Sequence, residues 1–141
     1  MGAVITITAL ALAAVIGLGV RRVNGRFRTP QPTTDPVLAN LGVTPRTPLT
    51  LLQFSSAFCA PCRVTRVLCA DLAASTPGVR HIEVDAESHV DAVRALQVWR
   101  TPTVLLIDGE GRIRRRASGA PSRAQLRSAV ESVLGKGSLA A

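Results

Sequence analysis

Two cysteines three residues apart, Cys59-Ala60-Pro61-Cys62, stand where one sequence periodicity gives way to another. Before them, residues 49–54 form a short apolar run of the length and type of a buried strand. After them, Val64, Val67, Leu68 and Leu72 recur at helical spacing, with Arg63, Arg66 and Asp71 elsewhere, until Thr76-Pro77-Gly78 stops the pattern. The pair therefore sits at a strand-to-helix junction. One helical turn would bring the two Cα atoms to roughly 5–6 Å, inside the window a disulfide accepts. The first sulfur would lie at the exposed helix N-terminus, where unpaired N–H groups and the helix dipole favour a thiolate. Such a pair can carry both electrons of a thiol–disulfide exchange.

The segments beyond the junction alternate in type. A second strand is predicted over residues 79–84, through Val79, Ile82 and Val84, ending at Asp85. Residues 89–98 read as helix through Val90, Val93, Ala95 and Leu96. Residues 103–107 read as strand and Asp108-Gly109-Glu110-Gly111 as a hairpin turn. Residues 112–117 return as a strand, placed at the sheet edge because arginines crowd it. Ser122 caps a last helix with Leu126, Val130, Val133 and Leu134 on its inner face and Gly135 beyond it. Residues 37–43 are expected to add a short strand or a turn of helix at the domain edge. This order predicts an α/β fold, a central mixed sheet flanked by helices, with parallel crossovers first and an antiparallel pair last.

A length of 141 residues allows one such domain and an attachment. Residues 3–20 carry no charged side chain. As a helix they would span about 27 Å, close to the thickness of a hydrocarbon core. A cleaved signal peptide would place basic residues before the apolar run and small residues at a cleavage site after it. Here Arg21, Arg22, Arg26 and Arg28 follow the run instead. The expectation is a retained single-pass transmembrane helix, with the domain on the cytoplasmic face where basic flanks stay. The predicted organisation is an anchor at 3–20, a basic and Pro-rich linker at 21–48, the redox domain at 49–135 and a tail at 136–141. Within the linker, residues 29–35 would hold the domain off the membrane.

The net charge of +8, from seventeen basic and nine acidic residues, raises the question of nucleic acid. Three Phe, one Trp and no Tyr leave few stacking platforms, so a nucleic-acid partner is not expected. Arg112, Arg114, Arg115 and Arg116 read instead as a solvated strand face, or one lying against anionic lipid. The close pair plus the single thiol of Cys69 do not suit a framework of structural disulfides. They suit a catalytic pair in a reducing compartment.

Phe58-Cys59-Ala60-Pro61-Cys62 after a strand, with Arg100-Thr101-Pro102-Thr103 about forty residues later opening another strand, resembles thioredoxin across the whole domain. Membrane-tethered members of that superfamily fit the anchor. The resemblance implies that Cys59 is the attacking nucleophile and Cys62 the resolving thiol. It implies that Pro102 follows a cis peptide bond beside the disulfide and leaves nearby backbone free to pair with an extended substrate. Thr101 would face the cysteines, and Phe58 replaces the usual tryptophan before the first cysteine, with Ala60 and Pro61 completing the active-site loop. Gln53 occupies the position of a buried aspartate thought to take the proton of the resolving thiol, and an amide cannot accept it. A lysine usual near the start of the second strand is also absent, and His81 stands close to its place as a partial substitute or a satisfied polar residue.

The chief expectation is a membrane-tethered protein disulfide reductase with no cofactor beyond its cysteine pair. It would be monomeric and act on protein disulfides with an electron donor the sequence does not name. The competing readings are a thioredoxin-like binding module without turnover, and an exported reductase for envelope disulfides or cytochrome maturation. A metal site is not expected. Cys69 lies seven residues past Cys62, about 10.5 Å along a helix, and His81 and His89 lack ligand-like spacing. Cys69 reads as a small buried hydrophobe. Trp99 is expected to pack beside the active-site loop, with substrate contact as its other reading, and Asp85 to be a turn or cap residue.

Overall fold

Ten elements appear in the computed structural model, which describes residues 1–30 and 35–135, without the side chains of residues 2, 3, 21 and 23. They run α1 (Gly2–Val23), β1 (Phe27–Arg28), α2 (Val37–Asn40), β2 (Leu49–Ser55), α3 (Ala60–Ser75), β3 (Val79–Asp85), α4 (Val90–Ala95), β4 (Thr103–Asp108), β5 (Ile113–Ser118) and α5 (Arg123–Leu134). The strands form one mixed sheet in the order β1-β5-β4-β2-β3. The predicted tail at 136–141 lies outside the described residues.

Every residue of β2 is buried, as an interior strand flanked by β4 and β3 requires. Its side chains alternate between the two faces of the sheet. Leu52 and Phe54 join Leu105 and Ile107 of β4 in one core, covered by Leu38 and Leu41 of the α2 region and Ala92 and Leu96 of the α4 region. Leu49 and Leu51 join Val104 and Leu106 in the other, covered by Cys69 and Leu72 of α3 and Leu126, Ala129 and Val130 of α5. Each fully buried Leu or Phe here contributes roughly 1.5–3 kcal/mol of hydrophobic stabilisation. The second core holds α3 against the sheet, and α3 carries Cys62 with Cys59 at its N-cap.

Among the described residues only one strand pair is parallel. α3 connects β2 to β3 in the parallel manner expected, Gln53 facing Glu83 and Phe54 facing Val84. The next connection does not make a second parallel pair. It passes from β3 to the far side of β2, where β4 runs antiparallel, Gln53 facing Val104 and Phe54 facing Thr103. The helix expected over 89–98 is correspondingly short. α4 ends at Ala95, Gln97 takes a left-handed φ of 51°, and the Val98 N–H closes back on the Val93 carbonyl. The hairpin at 108–111 forms as predicted, with the Asp108 carboxylate accepting from the Glu110 and Arg112 N–H groups and Gly111 at φ 76°.

β5 is not the sheet edge. Phe27 and Arg28 pair with Ala117 and Arg116 and cover its outer side. Periodicity cannot reveal a two-residue strand, and the arginines of β5 pointed the other way. The packed unit consequently begins well before residue 49, since Gly25 already donates its N–H to the Ser118 carbonyl and Leu38, Leu41 and Val43 lie in the core. Of residues 29–35, expected to space the domain from a membrane, 31–34 lie outside the described residues.

α1 stands apart from both cores. Its side chains from Val4 to Val20 are exposed, Ile5, Leu10 and Val15 each by more than 60 %. No helix among the described residues is long and apolar enough to cross a membrane.

Candidate redox site

The cysteine pair closes the junction between β2 and α3. Cys59 is the N-cap of α3, and its sulfur accepts from the Cys62 N–H at 3.1 Å. That bond satisfies one of the N–H groups left free at a helix start. Pro61 falls in the first turn, where its missing N–H costs nothing and its fixed φ suits the helix. Cys59 and Cys62 are joined as a disulfide with Cα atoms 5.2 Å apart. The two sulfurs differ in access, for Cys62 is 1 % exposed while Cys59 is partly open to solvent. A substrate disulfide can therefore approach Cys59 and not Cys62.

Phe58, fully exposed, projects beside Cys59, and Ala60 and Pro61 are exposed on the same loop. The Thr101–Pro102 peptide bond is cis, as the resemblance implied, and Pro102 is buried at the start of β4. Its carbonyl accepts from the Gly119 N–H at 2.7 Å. The Thr101 hydroxyl pairs with Ser56 Oγ at 3.0 Å, which ties the cis-proline turn to the redox loop. Ser56 carries no signal in the sequence, being one of two serines after an apolar strand. Trp99 does not pack where it was expected. It is 89 % exposed and lies among arginines, beside Arg26, Arg28 and Arg100.

Gln53 is wholly buried beneath the pair. Its amide nitrogen donates to the Cys62 carbonyl at 3.0 Å and to Ser55 Oγ at 2.8 Å. Those two acceptors fix the amide orientation and turn Oε1 toward His81 Nε2, 3.2 Å away. An amide oxygen only accepts, so the proton of His81 sits on Nε2. Burial, the largest influence on this ring, holds its pKa below the ordinary imidazole value. His81 thus reaches Gln53, and Gln53 stands between it and α3.

Glu83, which the sequence reading passed over, places a carboxylate in the cleft beside the cysteines. Residues on β3 alternate in access, and an acidic side chain there reads as solvent-facing. The usable signal was register, because Glu83 is the parallel neighbour of Gln53. With Cys59, Cys62, Ser55, Arg63 and Arg66 it lines a cleft of about 520 Å³. Burial raises the pKa of Glu83, but hydrogen bonds from Arg66 and Ser55 outweigh it and leave the group below the ordinary Glu value. Arg66 Nε stands 2.5 Å from Glu83 Oε2. Cys69 is fully buried in α3, and burial first, then the charge of Glu83, pushes its thiol up to about 12. It is inert at neutral pH.

A disulfide at a helix N-terminus, one sulfur open and one buried, beside a cis-proline turn on a four-stranded core with an added edge strand, defines a dithiol–disulfide exchange site. The thioredoxin family model matches residues 40–132, and the chain belongs to the thioredoxin family. No curated protein sequence matches it. Among solved structures it is similar to mitochondrial thioredoxin 3 from Saccharomyces cerevisiae in its oxidised form, at 19 % identity and a TM-score of 0.59, over 68 % of this chain and 89 % of that one. It is similar to the oxidised thioredoxin of Plasmodium falciparum, at 14 % identity and a TM-score of 0.58, over 70 % and 92 % of the two chains. A thioredoxin variant from Halobacterium salinarum shares 21 % identity with a TM-score of 0.57, over 62 % and 75 %. These likenesses concern the fold. The family together with the close Cys59–Cys62 pair makes the protein a thiol–disulfide oxidoreductase.

Proposed function

We propose that this protein is a membrane-tethered reductase of protein disulfides, with Cys59 as nucleophile and Cys62 as resolving thiol. The observation that carries the reading is the unequal access of the two sulfurs at the start of α3. In the reduced protein the Cys59 thiolate attacks one sulfur of a substrate disulfide, the substrate S–S bond breaks, and the departing thiolate takes up a proton. Cys62 then loses its proton and attacks Cys59 Sγ, which releases the second substrate thiol. The Cys59–Cys62 disulfide remains and returns to the dithiol by accepting two electrons from a donor dithiol. The cis-proline turn, tied to the redox loop through Thr101 and Ser56, offers backbone for an extended substrate segment.

The tether is inferred from sequence. Residues 3–20 form a stretch without charge that includes Ala3, just outside the described side chains. An apolar helix with nothing packed on it is stable where its surroundings are apolar too. Arg21, Arg22, Arg26 and Arg28 follow the stretch, which favours a cytoplasmic domain and so a dithiol resting state that works as reductant.

Full-length protein in detergent should reduce insulin disulfides with dithiothreitol. Cys59→Ser should abolish turnover, and Cys62→Ser should trap a mixed disulfide with substrate. Wild-type activity in Cys59→Ser would refute the assignment. In cells, a C-terminal alkaline phosphatase fusion should be silent and a fluorescent-protein fusion bright. Strong phosphatase activity would reverse the orientation and favour an exported reductase.

A further inference from the structure

The end of α1 and the redox loop are joined by two contacts. Arg100 Nη2 donates to Asn24 Oδ1, immediately after α1, and the neighbouring Thr101 pairs with Ser56 three residues before Cys59. The chain leaves no slack between them. Gly25 donates to the Ser118 carbonyl, and β1 is already paired with β5 at Phe27. An ideal Cβ on Gly25 would stand 2.1 Å from the Ala120 carbonyl oxygen, so the backbone at this junction is seated directly on the domain. Any membrane that holds α1 therefore lies within a few residues of the cis-proline turn.

The surface at this junction is basic and carries one large aromatic ring. Arg26, Arg28, Trp99, Arg100 and Arg116 surround a shallow cavity of about 300 Å³ with no acidic side chain in its lining. Among the described residues, Arg22, Arg26, Arg28 and Arg100 are exposed and have no carboxylate partner. The ion pairs of the domain lie elsewhere, at Arg66, Arg112, Arg114 and Arg123. Guanidinium groups without carboxylate partners beside an exposed indole suit the interface of an anionic bilayer, where Arg meets phosphate and Trp sits at headgroup level.

We propose that this face docks on anionic phospholipid headgroups of the bilayer that carries α1, which brings the redox rim to the membrane surface. The substrate class that follows is disulfides of proteins held at that surface, in preference to disulfides free in solution. The inference rests on the tether reading above and specifies which side of the domain meets the lipid. Each basic residue near an anionic surface favours association by roughly fivefold, and the attraction fades within a Debye length as salt rises. Three exposed arginines on the face would together favour docking by roughly a hundredfold on the same scale.

Trp99 is the chain's only tryptophan, so intrinsic fluorescence reads this face alone. The full chain should be reconstituted in phosphatidylcholine vesicles with or without phosphatidylglycerol, with brominated acyl chains as quencher. Trp99 emission should shift to the blue and be quenched in the anionic vesicles, with both effects reduced in neutral ones, in high salt and in Arg26→Gln/Arg28→Gln/Arg100→Gln. Equal emission in neutral and anionic vesicles with no quenching would overturn the proposal. A shift with soluble polyglutamate but not with anionic lipid would also overturn it, by assigning the face to an acidic protein. Flotation with neutral vesicles reports the tether separately. A chain that does not float refutes the tether, and the Trp99 response to anionic vesicles still decides the docking face. Arg26→Gln/Arg28→Gln, which keeps the Arg100–Asn24 contact, should also weaken the Trp99 response while its insulin reduction stays at the wild-type rate, which keeps loss of folding distinct from loss of docking.

Discussion

Replacing Gln53 by Asp places a carboxyl where the structure has a fully buried amide donating to Cys62 and Ser55. Burial disfavours the charged form, so the new carboxyl has a folded pKa above its unfolded value of about 3.9. A lift of ~2.5 units is moderate for a buried acid. At pH 8 the ionised group then costs about 3.4 kcal/mol relative to a neutral residue, and at pH 5 about 1.5 kcal/mol. A group with a raised folded pKa keeps its stability below the unfolded pKa and loses it as pH rises through the folded one. The gap in melting temperature between variant and wild type should therefore widen by roughly 10 °C from pH 5 to pH 8 for a domain of this size. His81 Nε2 can donate to the new carboxyl from the position it now holds against Oε1. The same carboxylate can take the proton of Cys62, so decay of the mixed disulfide should accelerate, within the 10²–10⁴-fold reach of general-base catalysis. Circular dichroism melts at the two pH values and stopped-flow decay of the mixed disulfide measure both effects. Unchanged melting at both pH values with unchanged decay would mean that residue 53 is not buried beneath α3, and the registers of β2 against β3 and β4 would be wrong.

Two other outcomes follow from the geometry. Gly25→Ala should destabilise the domain by ~2 kcal/mol or more, because the methyl meets the Ala120 backbone and the φ of 72° is unfavourable for alanine, so chemical denaturation should begin earlier. The depressed pKa of His81 contributes stability above pH ~6.5 that is lost as pH falls through the folded value. His81→Gln should flatten the acid side of the denaturant-midpoint profile while leaving Cys59 reactivity unchanged.

The redox junction was legible because its signals are local. A strand-length apolar run, an N-cap cysteine, a proline in the first helical turn and a second cysteine one turn later each constrain the backbone within a few residues. The Thr101-Pro102 turn was legible only by resemblance, since a proline before an apolar run otherwise reads as a strand start. What stayed hidden is nonlocal. Glu83 belongs to the cleft through the register of β3 on β2, and the direction of β4 depends on which side of β2 the chain takes after α4. Trp99, expected to pack beside the active-site loop, stands 89 % exposed among arginines, a placement that depends on β1 and so was not legible locally.

β1 is the element the sequence concealed most fully, and it changes how the attachment is understood. An arginine-rich edge strand would be tolerable alone, because charge discourages edge-to-edge pairing. Covering β5 with Phe27 and Arg28 serves a different end, for it fixes the residues that follow α1 to the side of the sheet that carries Ser118 and Gly119. The Gly119 N–H holds the Pro102 carbonyl, and Arg100 reaches back to Asn24. One sheet edge therefore carries both the end of α1 and the support of the cis-proline turn. A flexible leash would let Cys59 sample every direction around its tether. A docked edge strand instead restricts the redox loop to one orientation relative to α1, and so restricts which disulfides can reach it.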